Sequence, residues 1–283
     1  MIKPVEMRYL SAQDGSIAAP WQLIGLPYDA ASSYRHGAQH GPAEIRKASD
    51  SIETFSPYCH RDLTDIRFAD LGDLEITGES IETVLQQMQL FYNEKTRRDV
   101  RLLGMGGDHA VTVGALQGLA DAGLKPHVFY LDAHLDLREE YDGSRYSHAC
   151  VARRVSEIVG RERLVQWGMR SGERAEFDWA RHHMIYQGRD ALSLDKVLRR
   201  LKGQQVYLTL DLDLFDPAEL PGVGNPEPGG MRFANFLSLL QPLKDLDIIG
   251  ADVVELAPNW DPSGRSSVMA AEIIRELLLT IVK

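Results

Sequence analysis

Short, almost continuously apolar runs alternate with amphipathic stretches along this chain, and that alternation constrains its fold more than any other feature. The runs fall at residues 22–26, 67–71, 100–105, 127–131, 164–167, 184–186, 205–210 and 248–254. Runs this short, without polar alternation, are what strands buried on both faces of a parallel sheet require. Between them Ile81, Val84, Leu85, Met88 and Phe91 recur at helical spacing, with Glu79 and Glu82 near the helix start, where acids suit the helix dipole. Met269, Ile273, Leu277 and Ile281 lie four apart and predict one apolar stripe of a C-terminal helix. Ser193 followed by Asp195 reads as another helix entry. Strand–helix alternation throughout predicts a three-layer α/β/α architecture with a mainly parallel eight-stranded sheet. The 283 residues are then read as one domain, 1–283.

Composition narrows the function. The 41 acidic residues outnumber the 31 Lys and Arg, for a net charge of −10, which argues against nucleic acid and anionic membranes as partners. No apolar run approaches the ~20 residues that span a bilayer. Residues 1–15 are mixed polar with no apolar signal core, and the two cysteines, Cys59 and Cys150, make no disulfide framework. A cytoplasmic location is the expectation.

Open parallel sheets place their ligand sites beyond the carboxyl ends of the strands. Four runs here stop at acids or histidines. Run 100–105 leads into Gly106-Gly107-Asp108-His109-Ala110, and run 127–131 into Asp132-Ala133-His134-Leu135-Asp136. Run 205–210 leads into Asp211-Leu212-Asp213, and run 248–254 into Glu255-Leu256-Ala257-Pro258. In an extended segment alternate side chains point the same way, so Asp132, His134 and Asp136 are expected to face one locus, as are Asp211 and Asp213. Carboxylates and imidazoles converging in one crevice repel one another and lose solvation unless a cation neutralises them. With His109 the set has four carboxylates and two imidazoles, too many for one tetrahedral site with an open position. It suits two divalent ions sharing bridging carboxylates. Oxygen-rich donors favour Mn2+, although affinity order alone leaves Zn2+, Ni2+ and Fe2+ open.

Gly107-Asp108-His109, Asp132-Ala133-His134-Leu135-Asp136 and Asp211-Leu212-Asp213-Leu214-Phe215-Asp216-Pro217 resemble the three motifs of the ureohydrolases, the family of arginase and agmatinase. Arg35-His36-Gly37, Gly41-Pro42-Ala43-Glu44-Ile45-Arg46, Tyr146-Ser147-His148 and Glu255-Leu256-Ala257-Pro258 are agmatinase-like. The resemblance implies an arginase-like fold, two Mn2+ per subunit and hydrolysis of a small cationic guanidino substrate to urea and an amine, in a homotrimer or homohexamer. By position, one metal would take His109, Asp132, Asp136 and Asp211, and the other Asp132, His134, Asp211 and Asp213. Asp136 would steady the attacking water, His148 would transfer a proton, and Glu255 would hold the guanidinium. Ala110, Ala149, Asn225 and Trp260 depart from the commonest family wording without removing a ligand.

Arginase needs donors for an α-carboxylate shortly after the metal motif, and residues 137–143 contain no Asn. Glu139, Glu140 and Asp142 are candidates to receive the terminal ammonium of agmatine. Arg138 and Arg145 are candidates to hold the carboxylate of 4-guanidinobutyrate. Agmatine is the first expectation and guanidinobutyrate the alternative. A mononuclear deacetylase-like enzyme and an inactive relative are the readings from other classes. Cys150 beside His148 is not expected to be a nucleophile.

Overall fold

A computed structural model describes residues 1–77, 80–183, 186–188 and 191–283. Its strands are β1 (Ile2–Lys3), β2 (Gln13–Asp14), β3 (Trp21–Gly25), β4 (Phe55–Ser56), β5 (Arg61–Asp62), β6 (Phe68–Leu74), β7 (Arg101–Met105), β8 (His127–Leu131), β9 (Leu164–Trp167), β10 (Tyr186–Gly188), β11 (Gln205–Asp211) and β12 (Asp247–Val254). The helices are α1 (Gly41–Ser49), α2 (Ile81–Arg97), α3 (Val111–Asp121), α4 (Val151–Val159), α5 (Arg174–His182), α6 (Ala191–Leu201), α7 (Phe233–Leu243) and α8 (Arg265–Ile281).

The main sheet runs β1-β6-β3-β7-β12-β11-β8-β9-β10. All seven pairings from β6 to β10 are parallel. The eight expected strands therefore form its body, and two-residue strands add to the β6 edge, β1 antiparallel and β2 parallel. Strands too short to show a period leave no trace in a sequence pattern. Of the run at 184–186, Met184 and Ile185 lie outside the described residues, and the strand is seen at Tyr186–Gly188. Glu79 and the Ser193 side chain also lie outside them. Ser80 caps α2 instead, its side chain accepting from Thr83 N.

Apolar side chains on the two faces of the sheet make two cores. One holds Leu103, Phe129, Leu208 and Val253 with residues of α7 and α8; the other holds Leu102, Val128, Tyr130 and Tyr207 with residues of α2, α3 and α4. This is the three-layer arrangement. Helix α8 departs from the single expected stripe. It is buried almost all round, including Arg275 and Glu276, which pair at 2.9 Å, because α1 and α7 flank it on the sheet. Among the described residues no helix is long and apolar enough to cross a membrane. Most consequential for function, β7, β12, β11 and β8 are consecutive neighbours at the centre of the sheet. Their carboxyl ends carry His109, Glu255, Asp211 and Asp132, and so open side by side.

Candidate metal centre

The chain leaves β7 through Gly106 and Gly107, both in the left-handed region (φ 73° and 79°). A Cβ at Gly107 would stand 2.4 Å from the Leu26 carbonyl oxygen, so only glycine makes this turn. The turn delivers His109 to the sheet end, where its backbone N–H donates to Glu255 Oε1 at 2.7 Å. The ring is buried, stacked on Tyr130 at 4.6 Å, and its Nε2 lies 2.9 Å from Thr209 Oγ1. Its Nδ1 faces three acids: Asp211 Oδ2 at 2.9 Å, Asp132 Oδ2 at 3.2 Å and Asp136 Oδ2 at 3.6 Å.

Asp132 follows the last residue of β8, and His134 continues the extended path through a bridge to Ser171. His134 Nδ1 lies 3.5 Å from both Asp132 Oδ1 and Asp213 Oδ2. Asp136 does not arrive by simple alternation: its backbone turns left-handed, φ 50°, and Tyr130 OH donates to its Oδ2 at 2.7 Å. Extended alternation also fails at Asp211 and Asp213. Asp211 ends β11, whereas Asp213 sits in a 3₁₀ turn, its backbone N–H donating to Asp211 Oδ1 at 2.6 Å. The six expected donors thus make two groups that meet at Asp132. Ligand atoms of His109, Asp132 and Asp211 all lie within 4.8 Å of one another.

Among the described residues no Arg or Lys enters this cluster by an ion pair, and its electrostatics show the lack. Burial pushes the Asp211 carboxyl up to about 6, with the Asp132 charge adding to the effect. Burial and neighbouring carboxylates also raise Asp136, Asp213 and Glu255. Burial works against the His134 cation, but Asp132 outweighs it and lifts the imidazole to about 10. Asp132 Oδ2 and Asp213 Oδ1 are buried without hydrogen-bond partners. Such groups are rare in folded proteins and call for an explanation. Donors of this type, short of a cation and holding free lone pairs, fit divalent metal ions.

A cavity of about 310 Å³ opens onto the cluster, lined in part by His134, Asp136, His148, Arg138, Glu173 and Asn225. His148 begins a 3₁₀ turn ahead of α4. Its Nδ1 lies 2.6 Å from the Ala31 carbonyl, which only accepts, so Nδ1 carries the proton and Nε2 is left to act, 3.2 Å from Ser33 Oγ. Burial lowers its pKa, opposed by the Ala31 carbonyl. Glu255 lies behind His109, its backbone at φ 69°. A Cβ on Gly224 would come 2.9 Å from Glu255 Oε2, so glycine leaves room there.

Of the loop side chains expected to meet the substrate tail, Glu139, Glu140, Asp142 and Arg145 do not line the cavity. Glu139 is tied to Arg145, Arg153 and Arg154 at 2.7–3.3 Å. Only Arg138 of the loop cations lines it, stacked 4.5 Å over Tyr141 and paired to Glu173 at 3.2 Å. Burial raises the Cys150 thiol to about 11, leaving it inert.

Sequence reasoning missed Tyr130, Thr209 and Arg170. Tyr130 and Thr209 each stand two residues before an expected ligand on a strand, hence on its face; period two was the available signal. Arg170 lies beyond β9, its guanidinium donating to the carbonyls of Asp213 (2.8 Å) and Glu227 (2.7 Å) and so holding the loop that carries Asp213.

A comparison with known proteins agrees with this architecture. The arginase-family model matches residues 19–280. An agmatinase of Bacillus cereus is 35% identical over 265 residues, covering 92% of this chain and 91% of its own. A guanidinobutyrase of Pseudomonas aeruginosa is 30% identical over 272 residues, covering 92% of this chain and 85% of its own. The crystal structure of an agmatine ureohydrolase of Thermoplasma volcanium superposes with a TM-score of 0.86 at 30% identity, covering 99% of this chain and 95% of that one. The chain belongs to the arginase family of ureohydrolases and is a hydrolase.

Proposed function

We propose that the chain hydrolyses a small guanidino compound to urea and an amine, agmatine to putrescine in the first place, with two Mn2+ ions. One observation carries the reading: His109, Asp132 and Asp211 converge while Asp132 Oδ2 and Asp213 Oδ1 stay buried and unpartnered. One ion would be held by His109, Asp132, Asp136 and Asp211, the other by Asp132, His134, Asp211 and Asp213. Bound there, the ions would supply Lewis acidity and hydroxide near neutral pH. A single ion, as in a deacetylase-like enzyme, would leave part of this donor set unused, and an inactive relative would not keep all six donors.

The chain's own groups supply the rest. Asp136, pinned by Tyr130, accepts a hydrogen bond from the attacking water. Glu255 receives the guanidinium, the four ligand carboxylates being already neutralised by two divalent cations. His148 Nε2 takes a proton from the attacking water and hands it to the departing amine, its Nδ1–H anchored on Ala31.

The tail of the substrate would meet Arg138, Glu173 and Glu176, one cation against two anions. That balance favours an ammonium tail, hence agmatine. Arg138 is the observation behind the second reading, since released from Glu173 it would bind the carboxylate of 4-guanidinobutyrate. A single domain over 1–283, a homotrimer or homohexamer and a cytoplasmic location complete the proposal. The test is urea release from agmatine, 4-guanidinobutyrate and arginine with Mn2+ present. Agmatine is expected to be fastest and arginine slowest. No urea from any of them would overturn the reading.

A further inference from the structure

Behind His109 a hydrogen-bond chain ends on a carboxylate that no step above uses. Asp252 of β12 is fully buried. Parallel register sets Tyr130 of β8, Thr209 of β11 and Asp252 side by side, two residues below Asp132 and Asp211 on the neighbouring strands. In-register neighbours of a parallel sheet point to one face, so this polar row lies directly beneath the candidate ligands. Asp252 Oδ2 accepts from Tyr207 OH at 2.7 Å and from Thr112 Oγ1 at 2.9 Å. Thr112 Oγ1 lies 3.4 Å from Thr209 Oγ1, which lies 2.9 Å from His109 Nε2. Burial raises the Asp252 carboxyl, while hydrogen bonds from Thr209, Tyr207 and Thr112 favour its charged form.

The carboxylate end determines the polarity of this chain. A carboxylate only accepts, and a threonine hydroxyl has one proton to give. Thr112 gives its proton to Asp252 and offers its oxygen to Thr209. Thr209 gives its proton toward Thr112 and Asp252 and offers its oxygen to His109. The imidazole must then hold its proton on Nε2, which leaves the lone pair on Nδ1. Nδ1 is the ring atom that faces Asp132, Asp136 and Asp211.

We propose that Asp252 is a positioning residue: through Thr112 and Thr209 it keeps His109 in the Nε2–H tautomer, with the Nδ1 lone pair aimed at the ion shared with Asp132, Asp136 and Asp211. The proposal rests on the metal reading above. In Asp252→Asn the amide can turn an N–H toward the threonines, which permits the reversed chain and a proton on Nδ1.

The test is Mn2+ affinity of the full chain, measured by equilibrium dialysis and by the electron paramagnetic resonance of bound Mn2+. Asp252→Asn and Thr209→Val should each weaken one of two ions by about 10- to 100-fold, the usual range for an outer-shell partner. Thr209→Ser keeps the hydroxyl and should restore affinity, and this pair decides the matter if Asp252→Asn fails to fold. Tyr207→Phe removes a donor to Asp252 outside the relay, so it should lower thermal stability but leave both affinities within about twofold of wild type, well short of that outer-shell range. Unchanged affinities in Asp252→Asn and Thr209→Val, with wild type binding two ions, would overturn the proposal alone. Equal weakening in Thr209→Ser and Thr209→Val, or in Tyr207→Phe and Asp252→Asn, would also overturn it. Wild-type protein binding one ion contradicts the dinuclear reading, and that ion's affinity then scores the relay. Wild-type protein binding none contradicts the metal reading and this proposal together.

Discussion

Two of the buried charged clusters among the described residues are built on opposite terms. At the β6 edge, Arg46 brings its own cation to Asp70 and Asp73. Its Nε and two terminal nitrogens reach Asp70 Oδ2 (2.8 Å), Asp70 Oδ1 (2.9 Å) and Asp73 Oδ1 (2.6 Å). Tyr9 N and Gly72 N complete the Asp70 shell. At the centre of the sheet four aspartates, two histidines and Glu255 gather with no Arg or Lys among the described residues paired to them, and two of their oxygens make no hydrogen bond. The first cluster is internally saturated and holds the fold together. The second leaves two carboxylate oxygens unpartnered, which is expected of a ligand site and not of a structural ion pair.

The largest expected effect falls on the saturated cluster. Arg46→Met leaves two acids without their cation and should cost about 3–5 kcal/mol of stability. Denaturant unfolding checks the cost, and Mn2+ binding by the folded variant should be unchanged. A variant that lost metal but not stability would break the contrast between the clusters.

A smaller effect appears in pH dependence. Burial raises the folded-state pKa of Asp211 to about 6, so the metal-free fold binds a proton there more tightly than the unfolded chain. Its contribution to stability therefore falls as pH rises from the unfolded value near 4 through about 6. His134, raised to about 10 by Asp132 against burial, contributes stability below about 6.5 that is lost as pH rises through about 10. Asp132 is held low and adds no slope above its unfolded value. Metal-free protein should thus lose stability from pH 4 toward 10 at these groups, and the rise in melting temperature on adding Mn2+ should grow over the same interval. Calorimetric scans with and without metal measure it. A difference flat in pH would count against proton and metal competing for the cluster.

Much of this was legible in the sequence, for identifiable reasons. Buried parallel strands need unbroken apolar runs, so the strands at 127–131 and 164–167 fall where expected, and the candidate ligands stand at or just beyond the ends of such runs. Strand order was not legible, because it depends on crossovers that no local pattern records. That β7, β12, β11 and β8 are neighbours is what turns four separate strand ends into one centre. Local geometry was half legible: Asp132 and His134 keep the extended relation, whereas Asp136 and Asp213 arrive through turns. Glu139 was read as a substrate receptor by proximity in sequence, but Arg145, Arg153 and Arg154 claim it. Arg46 stood out only as part of a family motif, and its work is structural. The charge of −10 says little of this, since the informative acids are a small share of the 41.

The central claim is that the unsaturated cluster holds two divalent ions. Metal content by elemental analysis after Mn2+ loading and dialysis tests it most directly, with the electron paramagnetic resonance spectrum reporting whether the ions are coupled. Two Mn2+ per chain with a coupled signal, falling on replacement of Asp211 by alanine, is the predicted result. No retained Mn2+, or the same content in Asp211→Ala as in wild type, would contradict it.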